Sequence, residues 1–279
     1  MIGAIIGDIA GSTYEFHSIK TKDFPLFAPG SNTTDDSLMS IAVASALMQT
    51  GEGGDFKASV VSSMRQIAAK YPCPMGGYGG RFRHWLVSPH PRPYGSFGNG
   101  SAMRVSPCGD VAATLDEALA LAKQSAEVTH SHPEGIRGAQ AVAAAIVLAR
   151  TGESRDGIRS YIEQHFYPLH QMVDEIRPRY RFDETCQGTV PQAITAFLES
   201  VSFEDVLRTA VSLGGDCDAL TDITCAIAWP FYARNGLDDT MVHLRDEALA
   251  LLHDDLREIV TRWEERYGGY TSTVNSKAD

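Results

Sequence analysis

Two short acidic segments, each at the start of an apolar stretch, constrain this chain more than any other feature of its sequence. The segment GGDCDALTD occupies 214–222 and leads into an apolar run that reaches Tyr232. Far upstream, TTDD occupies 33–36 and leads into the apolar run 37–48. Thr and Asp are favoured residues at helix N-termini. The sequence therefore predicts two helices that begin with paired aspartates, roughly two-thirds of the chain apart.

These acidic helix starts allow two interpretations. The carboxylates could cap their own helices, because a first turn exposes backbone N–H groups and gains about 0.3–1 kcal/mol from a nearby negative charge. Alternatively, their carboxylate and hydroxyl oxygens could bind a hard cation such as Mg²⁺, Mn²⁺ or Ca²⁺. If the two starts face each other, they could hold two ions about 3.5–4 Å apart, as in two-metal hydrolases.

The distribution of apolar residues predicts an all-α fold. The segment 134–150 is nearly all Ala, Val, Ile and Leu at its centre, which is typical of a helix buried on every side. No convincing period-2 strand with a hairpin turn is found. We expect a single compact multi-helix domain over 1–267 and a frayed tail over 268–279. Helices are expected at 2–15, 34–50, 55–71, 115–129, 134–150, 153–165, 188–200, 203–213, 217–234 and, as one or two helices, 238–266.

Charge and cysteine usage restrict the class of partner and the compartment. The 279 residues include 24 Lys and Arg against 35 Asp and Glu, a formal net charge of −11. This balance argues against direct nucleic-acid binding, which needs a basic face. Five scattered cysteines without a C-x-x-C pair favour a reducing, cytoplasmic environment. No apolar run reaches the ~18 residues of a membrane span, and 1–10 lacks the basic residues of a signal peptide, so no membrane partner is expected.

The segments before the first acidic start carry two further predictions. Glycine recurs every four residues in the predicted helix 2–15, which indicates a close packing partner. Asp8 and Glu15 are seven residues apart and would share a face of this helix, where Asp8 is expected to cap or to pack. The loop 17–33 is long enough to be functional, and we predict a lid that closes over a substrate.

Several residues in the middle of the chain have both a structural and a functional interpretation. The stretch 72–100 is rich in Gly, Pro and aromatic residues and is predicted to be irregular. The GNGS segment at 98–101 could bring backbone N–H groups close to a phosphate. Arg104 could pair with a phosphate, but a structural role is favoured, and His132 before proline is predicted to cap a helix. The charged segment 167–185 is predicted to be an irregular, solvated face.

Five motifs, in the same order along the chain, resemble those of the ADP-ribosylglycohydrolase family. That family includes the dinitrogenase reductase-activating glycohydrolases and the ADP-ribosyl-arginine and ADP-ribosyl-serine hydrolases. None of the motifs is specific alone, but their common order makes a strong signal. The motifs are GD at 7–8 through EF at 15–16, TTDD at 33–36, FGNGSAMR at 97–104, THSHP at 129–133 and GGDCD at 214–218.

The resemblance implies a hydrolase that removes ADP-ribose from a modified protein side chain, most often arginine, by cleaving the glycosidic bond at the anomeric carbon of the ribose. It implies two Mg²⁺ or Mn²⁺ ions as cofactors, with ADP-ribose and an ADP-ribosylated protein as partners. The implied metal ligands are Thr34, Asp35, Asp36, Asp216 and Asp218. The implied catalytic residues are Glu15, Asp35 and Asp218. The implied substrate-binding residues are Phe97, Gly98, Asn99, Gly100, Ser101, Met103 and His130.

One position departs from the family pattern. The family usually has a metal-binding Thr directly after the second Asp of GGDxD, whereas this chain has Ala219, whose methyl group cannot bind a cation. Thr221 lies about 200° further around a helix and is not expected to replace it. The alternatives to an active arginine-specific hydrolase are therefore an ADP-ribose-binding protein with weakened or lost activity and a hydrolase of another ADP-ribosyl linkage.

Overall fold

The computed structural model describes residues 1–51 and 53–269, and within them it confirms the all-α prediction. These residues contain fifteen helices and no strand, apart from isolated bridges between Thr34 and Met75 and between Gly98 and Thr185. The helices are α1 (Ile2–Ser12), α2 (Asp35–Thr50), α3 (Phe56–Lys70), α4 (Gly80–Val87), α5 (Gly100–Met103), α6 (Ser106–Val111), α7 (Leu115–Glu127), α8 (Pro133–Arg150), α9 (Arg155–His165), α10 (Val173–Ile176), α11 (Cys186–Glu199), α12 (Phe203–Leu213), α13 (Cys217–Ala233), α14 (Asp239–Leu251) and α15 (Asp254–Tyr267).

Helices α8 and α13 form the centre of the core. The small residues at the middle of α8, from Ala139 to Ala145, are buried almost without exception, as the sequence predicts. Helix α13 is buried along nearly its whole length and packs against α1, α8, α11 and α12. Its N-terminal turn therefore lies on a rigid base, with apolar helices on several sides.

The glycines of α1 allow this helix to lie against the backbone of α13, as their spacing predicts. A Cβ at Gly3 would clash with the carbonyl oxygen of Cys225, and one at Gly7 with that of Thr221. At Gly11 it would lie 2.6 Å from the carbonyl oxygen of Cys217. The two helices run antiparallel, so the C-terminal end of α1 lies beside the N-terminal end of α13.

The structure corrects several predicted boundaries. Helix α1 ends at Ser12, so Glu15 lies beyond the helix and the expected common face with Asp8 is wrong. Helix α4 occupies part of the supposedly irregular stretch 72–100, because tertiary packing of its apolar side chains stabilises it. A single helical turn, α10, interrupts the segment 167–185, which was predicted to be irregular and solvated.

The C-terminal end and the membrane prediction can be compared with the structure only in part. The predicted frayed tail lies mostly outside the described residues, since 270–279 are not among them. No helix in the described ranges combines the length and the apolar character needed to cross a bilayer.

Candidate active site

The two acidic helix starts meet at one cleft. This cleft has a volume of about 430 Å³ and lies between the N-terminal ends of α2 and α13, with the segments around Gly76 and Asn99 forming the other walls. The acidic wall contains Glu15, Asp35, Asp36, Asp216 and Asp218, followed by Ala219. Residues separated by most of the chain are therefore brought together by the antiparallel packing of α1 on α13.

Asp8 fixes the start of α2 from below the cleft. Its fully buried carboxylate accepts hydrogen bonds from the backbone N–H (3.0 Å) and hydroxyl (2.7 Å) of Thr34. It also accepts bonds from the backbone N–H of Ser37 (3.1 Å) and from the Ser37 hydroxyl. The structure thus gives Asp8 the capping role predicted for it. Because Asp8 and Thr34 cap the helix, the carboxylates of Asp35 and Asp36 are not needed for that purpose.

Three carboxylates form the tightest group in the cleft. One oxygen each from Glu15, Asp216 and Asp218 lies within 4.8 Å of the other two. Asp216 precedes α13 without capping it, and its Oδ2 accepts a 2.7 Å hydrogen bond from Nδ2 of Asn99. Asp35 lines the same cleft but lies outside this group.

Burial and mutual repulsion raise the pKa values of these groups. Burial, followed by the charge of Asp218, raises the pKa of Glu15 to about 8. Burial also raises the pKa of Asp216 to about 6. The pKa values of Asp35, Asp36 and Asp218 are raised well above the usual range by burial and then by neighbouring carboxylates. Without a counter-ion, the site therefore favours bound protons over negative charge.

The oxygens of this group fit a hard cation. Glu15 Oε2, Asp36 Oδ2 and Asp218 Oδ1 are buried and have no hydrogen-bond partner in the described structure. No salt bridge within the described ranges reaches a carboxylate of the acidic wall. Buried carboxylates without a basic partner are costly unless a proton or a metal ion compensates them. An all-oxygen donor set is the kind that Mg²⁺ and Mn²⁺ prefer.

Three residues near the acidic wall, Thr34, Ala219 and Thr221, have different roles. Thr34 is fully buried and its hydroxyl contacts Asp8 and the backbone N–H of Asp36 (3.2 Å), so it lies behind the cleft surface. Ala219 lines the cleft with its methyl group. Thr221 is fully buried against Cys217 and is not among the residues that line the cleft, so it does not replace the missing hydroxyl.

The predicted substrate-binding segment supplies the opposite wall, with two exceptions. Ser101 turns its hydroxyl inward to the carbonyl oxygen of Gly135 (2.6 Å), away from the cleft. Phe97 is 43% exposed and lies against His132, with ring centroids 5.3 Å apart, outside the cleft. The predicted residues that do line the cleft are Gly98, Asn99, Gly100, Met103 and His130.

Arg104 and Thr129 hold this wall in place. The buried guanidinium of Arg104 donates to the carbonyl oxygens of Gly100 and Ser125 and to the Thr129 hydroxyl oxygen, each at 2.8 Å. The structure therefore gives Arg104 the structural role favoured by the sequence analysis. The Thr129 hydroxyl lies 2.7 Å from Nδ1 of His130, whose pKa is lowered well below its usual value by burial. Burial thus favours the neutral form of His130, whose Nδ1 is hydrogen-bonded to Thr129 and whose Nε2 lies beside Gly100.

His132 shows the predicted capping geometry. Its Nδ1 accepts a 3.1 Å hydrogen bond from the backbone N–H of Glu134 at the start of α8. It is therefore a structural residue, and its neighbour His130 is the histidine that reaches the cleft.

Sequence reasoning missed the aromatic rim and a glycine turn. Phe16 and Phe182 line the cleft, are 66% and 51% exposed, and stack with ring centroids 6.3 Å apart. The segment 167–185, predicted to be an irregular, solvated face, thus also contributes a residue to the rim of the cleft. Gly76 has φ +73°, and a Cβ there would lie 2.8 Å from Glu15 Oε2. The paired glycines at 76–77 were the available signal for this turn.

The loop 17–33 lies elsewhere. None of its residues lines the cleft. Ser18 Oγ accepts a 3.1 Å hydrogen bond from the backbone N–H of Gly215, and buried Phe24 packs in a cluster with Cys217. The lid prediction is therefore wrong, because the loop is anchored beneath the turn that precedes α13 and supports it from outside.

Comparison with known proteins identifies the fold and the family of the chain. The curated ADP-ribosylhydrolase ARH3 of Homo sapiens is 24% identical over 318 aligned residues, which cover 86% of this chain and 86% of the human protein. ADP-ribosylhydrolase ARH3 of Gallus gallus is 28% identical, covering 81% of this chain and 70% of that protein. A solved structure described as an ADP-ribosylglycohydrolase-related protein complex superposes with a TM-score of 0.69 at 20% identity, covering 95% of this chain and 96% of the other, and thus shares its fold. The family model for ADP-ribosylglycohydrolase matches residues 1–270. The chain therefore belongs to the ADP-ribosylglycohydrolase family.

Proposed function

We propose that this protein is a metal-dependent hydrolase that removes ADP-ribose from a modified protein side chain, with arginine as the linked residue. The observation that carries the proposal is the acidic wall, where Glu15, Asp216 and Asp218 converge within 4.8 Å without a basic partner in the described structure. Family membership supports the reaction class, and the curated relatives carry the name ADP-ribosylhydrolase.

In this proposal, Asp35, Asp36, Asp216 and Asp218 hold two Mg²⁺ or Mn²⁺ ions. When bound, the ions supply Lewis-acid chemistry to sugar and water oxygens near the anomeric carbon. Asn99 orients Asp216 for this task through its 2.7 Å hydrogen bond. Thr34 acts from behind the wall, since it positions the first turn of α2 through Asp8 and the Asp36 backbone.

Glu15 is proposed to transfer the proton. It is half-buried at the cleft, and its surroundings favour the protonated form, as a general acid requires. As the bond between the anomeric carbon and the substrate nitrogen breaks, its electron pair stays on nitrogen, which takes the proton of Glu15. Water forms the new bond to the anomeric carbon, and its proton passes to the Glu15 carboxylate.

The opposite wall is suited to the diphosphate of the substrate. Gly98 and Gly100 have no side chain that would keep a phosphate from the backbone, and His130 offers its Nε2–H beside them. The stacked pair Phe16 and Phe182 at the rim provides apolar area for the protein chain that carries the modification.

Arginine is proposed as the linked residue because the family resemblance implies it. The second candidate function, ADP-ribose binding with weak turnover, is favoured by a single observation, the methyl group of Ala219 at the metal-binding wall. The five cysteines are free, which supports the cytoplasmic location that also belongs to the proposal.

The test is release of free ADP-ribose from arginine- and serine-ADP-ribosylated proteins, with Mg²⁺, with Mn²⁺ and with chelator. We expect metal-dependent release from the arginine-linked substrate. Glu15→Gln should lower the rate at least 100-fold, whereas Glu184→Gln, which removes a carboxylate on the same cleft outside the tight group, should lower it less than fivefold. Binding of ADP-ribose without release from either substrate would instead support the binding protein.

A further inference from the structure

A further buried carboxylate of the same region, Asp222, takes no part in the site described above. It lies on α13 four residues after Asp218 and three after Ala219, so all three residues share one side of the helix. Asp222 has no solvent exposure, and neither of its oxygens has a hydrogen-bond partner in the described structure. A buried carboxylate that accepts no hydrogen bond on either oxygen is among the least favourable groups a helical core can contain.

No basic side chain in the described ranges compensates this carboxylate with a salt bridge. The positive group that lowers the pKa of Asp222 is the amino group of Met1, which is already paired with Asp110. The backbone of α1 closes another side, since a Cβ at Gly7 would lie 2.8 Å from the Asp222 backbone nitrogen. Its charge must be compensated by a proton, or by a cation on the side where the other carboxylates lie.

The helical spacing places Asp222 one turn after Asp218 on the same side of α13. Burial raises the pKa of Asp222, followed by the charges of Asp8 and Asp218, and the charge of Asp222 in turn contributes to the raised pKa of Asp36. Asp36 Oδ2 and Asp218 Oδ1 are also buried and unpartnered. Asp36, Asp218 and Asp222 are thus three buried carboxylates from α2 and α13 that influence one another electrostatically, and each has at least one oxygen without a hydrogen-bond partner in the described structure.

We infer that Asp222 replaces, from one helical turn deeper, the metal-binding function that a hydroxyl at position 219 would supply. A water held by Asp222 fills the space over the Ala219 methyl group and presents its oxygen to the cation bound by Asp36 and Asp218. The neutral hydroxyl oxygen of a threonine is thereby replaced by a water oxygen that is hydrogen-bonded to the negatively charged carboxylate of Asp222, which strengthens the attraction for a dication. This inference rests on the metal centre of the proposed function.

The test is direct titration of the full-length, chelator-stripped protein with Mn²⁺ and Mg²⁺ by calorimetry, with Mn²⁺ occupancy also followed by electron paramagnetic resonance. We expect Asp222→Asn to weaken binding of one of the two ions at least 10-fold. In the Ala219→Thr background, where the hydroxyl is restored, the same substitution should weaken it less than threefold. Glu258→Gln, which removes one exposed negative charge on α15, is the matched control for net charge and should leave the affinity unchanged.

The result that overturns the inference is clear-cut. If Asp222→Asn binds both ions as the unaltered chain does, Asp222 is only a buried, protonated acid, and a higher melting temperature would accompany that result. Asp222→Ser, which is smaller and retains one oxygen, provides a second variant if Asp222→Asn does not fold. Because no step measures ADP-ribose release, a lack of hydrolase activity does not affect the outcome. Absence of divalent-ion binding in every variant would overturn both this inference and the metal centre.

Discussion

The hydrogen bond between Asn99 and Asp216 gives the most direct prediction about the proposed metal centre. Asn99 Nδ2 donates to Asp216 Oδ2 at 2.7 Å, and Asn99 is 94% buried, with a relative exposure of 6%. A hydrogen bond to a charged group contributes about 1.5–3 kcal/mol. At about 1.4 kcal/mol per factor of ten, that energy corresponds to a change of roughly 10- to 150-fold. Removal of a residue that orients a metal ligand typically weakens metal affinity by about 10- to 100-fold, which agrees with this range.

We therefore expect Asn99→Ala to raise the dissociation constant for Mg²⁺ by about 10- to 100-fold in calorimetric titration at pH 7.5. Thr189→Val is the control, because Thr189 Oγ1 accepts the other hydrogen bond of the same amide (3.1 Å) and does not touch Asp216. It should change the dissociation constant less than threefold. Unchanged Mg²⁺ affinity in a folded Asn99→Ala protein would refute the reasoning, because Asp216 would then not depend on Asn99 for its orientation.

Three further predictions follow from the cleft. Gly76→Ala should lower the free energy of unfolding, measured by urea denaturation, by about 1–2 kcal/mol, because φ is +73° and the new Cβ would lie 2.8 Å from Glu15 Oε2. Gly79→Ala is the control and should leave the free energy of unfolding unchanged, because φ is −55° and no atom lies near the new Cβ. Phe182→Ala should raise KM for a modified protein several-fold without changing the melting temperature, because the ring is 51% exposed. In chelator, the melting temperature should fall as pH rises from about 4 to about 8, because the raised pKa values of Glu15 (about 8) and Asp216 (about 6) mean that the folded state binds more protons than the unfolded chain. Saturating Mg²⁺ should remove most of this fall in scanning fluorimetry, and an equal fall with and without Mg²⁺ would contradict the assignment.

The best-predicted elements are those whose structure follows from local composition or residue spacing. The Ala-rich centre of α8 has no polar residue to expose, so its burial follows from composition alone. The glycine spacing of α1 leaves a groove that only another backbone can fill, and α13 fills it. Local sequence could not predict that the two acidic helix starts meet, because it does not determine which helices pack together. That prediction came from the order of the motifs along the chain.

The failures have identifiable causes. Helix α1 stops before Glu15 because Ser12 and Thr13 are weak helix formers and a carboxylate is unfavourable at a helix C-terminus. Asp222 was not recognised, since a carboxylate four residues into an apolar helix carries no local signal of its surroundings. Phe182 was assigned to a solvated face because the charges around it dominate the local composition, whereas its position at the rim depends on tertiary structure.

The backbone contact between α1 and α13 also has a consequence for how the chain is made. The contacting residues are roughly 200 positions apart, so α1 leaves the ribosome long before its partner exists. Eleven residues of α1 are buried in the finished protein, and during synthesis they have no native surface to cover them. Because Asp216 and Asp218 arrive with α13, the proposed cation site can form only when α1 acquires its partner. The acidic wall is thus assembled only after synthesis has supplied α13, the helix that covers α1.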